Sequence, residues 1–124
     1  MVGPMAGRLT RGARYARRRR RRLERVEHDL SLDQWRALTD AWGGCAYCRA
    51  SGVPLQRDCV LPLSRGGRYT LVNIVPACRS CNASKWNQEV TGWLRRRQLD
   101  ERTFLLRHLE ISAALVLRFA EEHS

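Results

Sequence analysis

The chain has 124 residues, with 23 Lys plus Arg against 12 Asp plus Glu and a net charge of +11. That length holds one hydrophobic core and no second catalytic unit, and no apolar stretch approaches the ~18 residues of a membrane span, which excludes a transmembrane role. The basic excess is 22 Arg and one Lys, Lys85, a balance that demands a polyanionic partner.

The charge is unevenly spread. Residues 1–25 hold ten Arg and one Glu, residues 26–44 one Arg against four acids, residues 45–87 five Arg and Lys85 against Asp58, and residues 88–124 six of each sign. Residues 1–25 therefore read as an Arg-rich arm and residues 26–124 as the folded part. Gly3, Pro4, Gly7 and Gly12 make the first dozen residues a poor helix. The run Arg17, Arg18, Arg19, Arg20, Arg21 and Arg22 repels itself until phosphate neutralises it, so the arm is expected to be disordered alone and to bind nucleic acid. No apolar core follows it, as a secretory signal requires, and the run has no apolar face, as a transit peptide requires.

Ser31-Leu32-Asp33-Gln34 is a capping-box pattern, and Leu32, Trp35, Leu38 and Trp42 follow at helical spacing until Gly43-Gly44 stops the helix. From Cys45 the texture changes to loops and short strands. Val60-Leu61 suits one short strand, and Ser64-Arg65-Gly66-Gly67-Arg68 a glycine turn. Leu71 to Val75 suits a second strand closed by Pro76. Helical composition resumes after Cys78 through Trp86, and again over 88–97 with Val90, Trp93 and Leu94 on one side. Asp100-Glu101 opens a last helix to about Glu122, whose residues Phe104, Leu105, Leu109, Ile111, Leu115, Val116 and Phe119 predict one broad packed face. That helix serves a dimer as readily as a core, so the oligomeric state stays open. His108 reads as a boundary histidine.

Five cysteines is an odd number, and four of them form two C-x-x-C pairs, Cys45/Cys48 and Cys78/Cys81. Two such pairs complete the tetrahedral thiolate shell of a structural zinc ion, leaving no open position for chemistry. The same spacing serves redox sites, but two matched pairs in a chain this small favour the metal staple. They also fit a reducing cytoplasm better than a secreted disulfide scaffold.

Between the pairs runs Arg57-Asp58-Cys59-Val60-Leu61-Pro62-Leu63-Ser64-Arg65-Gly66-Gly67, then Asn73-Ile74-Val75-Pro76, then Cys81-Asn82-Ala83-Ser84-Lys85. This order of motifs over residues 45–87 resembles the HNH endonucleases, in the subgroup whose ββα-metal hairpin and helix are clasped by four zinc cysteines. The resemblance implies an α+β fold, a small zinc-stabilised ββα-metal module flanked by helices at 88–122. It also implies metal-dependent hydrolysis of DNA phosphodiester bonds, with RNA left open and no membrane. Asp58 and Asn82 are then the protein ligands of a catalytic Mg²⁺ or Mn²⁺. Asn73 orients the general base, Lys85 faces phosphate, and Arg65 and Arg68 clamp the backbone.

One position departs from the family. Its general-base histidine belongs immediately after Asp58, where this chain has Cys59, and His28, His108 and His123 all lie outside the motif. Three readings follow: Cys59 acts as a thiolate base, Cys59 and Asp58 recruit a softer ion such as Zn²⁺, or the module binds nucleic acid and cuts poorly or not at all. A buried strand cysteine with no role is the plain alternative. Loss of a general base costs roughly 10²–10⁴ in rate and leaves the rest of the site's contribution, so an endonuclease is the leading expectation. A zinc-containing nucleic-acid-binding protein is its chief rival, and a redox or metal sensor using Cys59 is a distant one.

Overall fold

The computed structural model describes residues 10–14, 17 and 30–122. Thr10 caps one helical turn over residues 11–14, accepting from the Ala13 N–H at 3.0 Å, so part of the stretch expected to resist helix formation is helical. The first regular helix, α1, spans Leu32–Trp42. Its capping box closes as the sequence demands: the Gln34 N–H donates to Ser31 Oγ at 3.1 Å, and the Ser31 N–H to Gln34 Oε1 at 2.9 Å. Gly43 ends it with φ +72°, a conformation that costs glycine nothing.

A two-stranded antiparallel hairpin follows, β1 (Leu55–Cys59) paired with β2 (Ile74–Cys78) in the register Leu55↔Cys78 to Cys59↔Ile74. Both strands are displaced from their expected places. Val60-Leu61 lies just past β1, which instead takes the polar run ending in Asp58 and Cys59. Pro76 sits inside β2, because a two-stranded sheet has only edge strands and an edge tolerates a residue with no N–H. Three helices complete the α+β order, α2 (Arg79–Lys85), α3 (Val90–Arg96) and α4 (Glu101–Glu122).

The core lies where α1 packs against both β2 and α4. Trp42 stacks on Phe104 at 5.7 Å, and Tyr47 meets Trp93 edge-on and Phe104 at a tilt, both at 5.1 Å. Ile74, Val75 and Ala77 of β2 are fully buried beneath these rings, which is why β2 reads as a continuous apolar run rather than an alternating one. The broad apolar face expected of α4 divides. Phe104, Leu115 and Phe119 are buried, whereas Leu105, Leu109 and Val116 stay exposed, because at helical spacing the second set lies on an adjoining flank and the apolar arc is wider than the face that packs. The stripe on α1 divides in the same way, with Leu38 and Trp42 inside and Leu32 outside. Trp35 is half-buried beneath the Arg57 guanidinium, 5.3 Å from its ring centre. His108, half-buried on α4, bonds the Val72 carbonyl at 2.8 Å and stacks on Phe104, a boundary residue as expected.

The loop joining the strands is held by one side chain. Asn73 Oδ1 accepts from the Leu61 N–H at 2.8 Å, while its Nδ2 donates to the carbonyls of Leu61 and Arg68, both at 2.9 Å. Gly67 makes this closure possible, since a Cβ there would lie 1.7 Å from the Leu61 oxygen and 2.9 Å from Asn73 Nδ2. Gly67→Ala should therefore push the loop off its clamp and lower stability by about 1–3 kcal/mol. A shift of the urea midpoint at unchanged slope measures this loss, and an unshifted midpoint would contradict the clamp.

Candidate metal clasp and hydrolytic centre

Three segments deliver the four cysteines. Cys45 and Cys48 occupy a tight turn after α1, Cys78 ends β2 and Cys81 lies in the first turn of α2. The turn is fixed by backbone bonds from Cys45 N–H to the Ala50 oxygen at 2.9 Å and from Arg49 N–H to the Cys45 oxygen at 3.0 Å. Ala46 N–H then ties it to β2 through the Pro76 oxygen at 2.8 Å. The four sulfurs all lie within 4.8 Å of one another, and Cys48 Sγ is 3.8 Å from Cys78 Sγ. A tetrahedron with Zn–S bonds of about 2.3 Å has edges of about 3.8 Å, so the cluster has the dimensions of a structural zinc shell.

The electrostatics favour a cation there. Burial pushes the Cys81 thiol up, and the charge of Cys45 pushes it further. Burial likewise acts to raise Cys78, but the Cys81 N–H and the neighbouring thiols bring it below the ordinary cysteine value. Cys78 caps α2, accepting the Cys81 N–H at 3.4 Å, so a helix terminus already points at one ligand. A divalent ion relieves the remaining repulsion by displacing the protons.

The second cluster lies on the hairpin. Asp58 is 5% exposed and Lys85 is 0% exposed. Lys85 Nζ lies 3.2 Å from Asp58 Oδ2 and donates to the Cys59 carbonyl at 2.8 Å, and the Tyr47 hydroxyl donates to the same Asp58 oxygen. Burial lifts the Asp58 carboxyl above the usual carboxylate range, with Lys85 and Tyr47 offsetting part of that rise. Burial and then the Asp58 charge push the Tyr47 hydroxyl up, so it remains a donor. Lys85 therefore does not face phosphate. The buried carboxylate needs a counter-charge, and the last turn of α2 brings the ammonium inward to supply it.

Asn82, half-buried on α2, donates from Nδ2 to Gln56 Oε1 at 2.7 Å. Gln56 and Asp58 are two apart on β1 and share a face, so this bond ties Asn82 to the strand face that bears Asp58 and leaves the Asn82 amide oxygen uncommitted to Gln56. Oxygen donors of this kind suit Mg²⁺ or Mn²⁺. Lys85 sets the charge of the site: its ammonium already balances Asp58, so an ion would meet oxygen ligands without net negative charge.

Cys59, half-buried at the end of β1, stands where the resemblance expects the general base. Burial and then the Asp58 charge push its thiol up to about 11, with Lys85 acting the other way, so near neutral pH it holds its proton. Asn73 does not orient it directly. Its amide is committed to the Leu61 and Arg68 backbone, and its link to the base position runs through the Val60 N–H, which donates to the Asn73 carbonyl at 2.8 Å. Arg65 and Arg68 are exposed beside the glycine turn, and Arg65 Nε donates to the Asn87 carbonyl at 3.2 Å. Arg17 is exposed, and Arg18 to Arg22 lie outside the described residues.

Two contributors escaped the sequence reading. Gln56 carries a period-2 signal relative to Asp58 that points to the same face. Tyr47 carries no signal beyond its place between two cysteines, and only burial of its hydroxyl demands a partner.

Residues 45–98 match the family model of the HNH endonucleases, a span that begins at the first cysteine and encloses the hairpin, α2 and α3. No curated protein and no solved structure matches the chain.

Apparent binding energies of about 10–16 kcal/mol for zinc in small metal-folded domains equal or exceed the whole stability of a typical domain. Metal analysis should therefore find one zinc per chain, and a strong chelator should collapse the far-UV circular dichroism cooperatively. A folded, zinc-free chain would refute the clasp. Lys85→Met should cost about 3–5 kcal/mol, because it strands a buried carboxylate. Chemical denaturation checks this, and a loss below about 1 kcal/mol, the scale of a surface pair, would show that the ion pair is not structural.

Proposed function

We propose that this chain is an HNH-type endonuclease that hydrolyses DNA phosphodiester bonds, slowly as it stands. The carrying observation is the Asn82–Gln56 bond, which ties the α2 residue of the motif to the strand face that bears Asp58. The family match over residues 45–98 supports the same reading. Asp58 and Asn82 would hold Mg²⁺ or Mn²⁺, which supplies charge neutralisation at a non-bridging phosphate oxygen and at the leaving oxygen.

The chain's own groups do the positioning. Arg65 and Arg68 offer cations to the backbone on either side of the glycine turn, fixing register without reading sequence. Asn73 keeps that turn closed, so the base position stays at one height above β1. Lys85 holds β1 to α2 and offsets part of the burial that favours a protonated Asp58. Cys59 is the weak point, since a protonated thiol accepts no proton from water and is shorter than an imidazole. The arm over residues 1–25 adds phosphate contacts remote from the chemistry, and binding should fall more steeply with salt when it is present.

A second reading, nucleic-acid binding without cleavage, is favoured by two observations: the Cys59 thiol stays protonated, and Lys85 already occupies the charge of Asp58. Plasmid cleavage by the full chain in Mg²⁺, Mn²⁺ and Zn²⁺ separates the two. The expected outcome is slow cleavage in Mg²⁺ or Mn²⁺, a gain of roughly 10²–10⁴ in Cys59→His, and loss in Asn82→Ala. Cleavage unaffected by Asn82→Ala overturns the site, while cleavage by Cys59→His alone establishes the binding reading.

A further inference from the structure

Trp86 stands apart from the other tryptophans. It is 75% exposed, whereas Trp42 and Trp93 are 4% and 2% exposed and form the core. Its backbone is also unusual, with φ +47° and ψ −116°, a conformation that glycine adopts freely and a bulky residue rarely does. Here the fold accepts a strained backbone and gains no burial of the indole in return. Strain retained at an exposed position points toward a ligand.

The surroundings say which ligand. Trp86 follows Lys85, whose side chain is drawn inward to Asp58, and the chain reverses there through bonds from Trp86 N–H to the Asn82 oxygen at 3.0 Å and from Gln88 N–H to the Lys85 oxygen at 2.9 Å. The reversal presents the indole outward, one residue from the Asn87 carbonyl that accepts from the exposed Arg65 guanidinium. An exposed aromatic face next to a cation, on the segment where six bases meet one acid, matches a nucleobase attached to its phosphate and not an apolar protein surface.

We infer that Trp86 is a stacking platform for an unpaired nucleobase, positioned by the turn after α2 while Arg65 holds the adjoining phosphate. This inference rests on the nucleic-acid reading above and deepens it. A base inside a closed duplex offers no free face, so the chain should favour single-stranded or locally opened DNA at this contact.

Fluorescence anisotropy of labelled oligonucleotides tests it, using the full chain with a single strand, a closed duplex and an abasic strand of equal length. Trp86→Ala should weaken single-strand binding by about 5- to 150-fold, the range for losing one stacked base. Trp86→Phe should keep most of the affinity, and the abasic strand should bind wild type and Trp86→Ala equally. The salt slope should stay unchanged, because an indole neutralises no phosphate. Trp86→Gly should unfold at or above the wild-type temperature, and a clear fall would mean that the indole supports the fold and overturn the inference. Equal binding of Trp86→Ala and wild type to the single strand, or equal losses on base-bearing and abasic strands, also overturns it while leaving nucleic-acid binding intact. Failure of the full chain to bind any of the three substrates removes both readings.

Discussion

A carboxylate buried beneath a seven-residue helix is the constraint on which the module turns. Asp58 lies under α2 and must have a counter-charge, and Lys85 supplies it from the helix's last turn. The same carboxylate takes the hydroxyl of Tyr47, so the two-residue link between Cys45 and Cys48 is tied to the hairpin and the hairpin to the helix through one side chain. These are the segments that bring the four cysteines together. The cysteine cluster and the ion pair thus hold the same three segments together, one through sulfur and one through oxygen. A helix of seven residues is far below the length at which a helix is stable alone, so α2 holds its shape through these tertiary ties.

The ion pair also shapes any chemistry on this face. A divalent ion is drawn to excess negative charge, and Lys85 removes that excess. The thiol at position 59 lies beside the same carboxylate, whose charge adds to burial in holding its proton. Burial acts on both groups in one direction, toward their uncharged forms. Position 59 and position 85 are therefore not independent. A histidine placed at 59 would sit next to a carboxylate that already pairs with an ammonium, whose other hydrogen bond is to the carbonyl of residue 59 itself.

Much of this was legible in the sequence, for physical reasons that differ by element. The cap and stop of α1 are local, written in Ser31, Gln34 and Gly43, and they appear where the pattern puts them. The cysteine cluster is legible because metal ligation imposes a spacing on the chain. The strands were less so: β1 takes a polar run with Asp58 inside, because pairing with β2 outweighs the weak strand propensity of its residues. Lys85 was misplaced for a related reason. A lysine one turn beyond Asn82 looks solvent-facing on a free helix, and only the presence of a buried acid opposite reverses that expectation. The exposed leucines of α4 escaped because apolar spacing marks a broad arc of a helix and not how much of that arc a neighbour covers.

The divided charge follows the same logic of local against tertiary information. Arginines near the glycine turn remain on the surface because their long side chains keep the guanidinium in water, whereas the single lysine, a compact cation on a flexible stem, is the one drawn inside. An interior pair of this kind contributes nothing to long-range attraction for a polyanion, since Lys85 and Asp58 cancel. The positive field of residues 45–87 is thus carried by arginines alone, among them Arg65 at the turn that presents Trp86. The exposed arginine at the turn and the exposed indole of Trp86 then lie close in the chain's fold through the Arg65–Asn87 bond, while the buried pair beneath them is electrically silent from outside. The exposed positive charge and the buried polar cluster are consequently built from different residues, and a change at Cys59 leaves the surface arginines untouched.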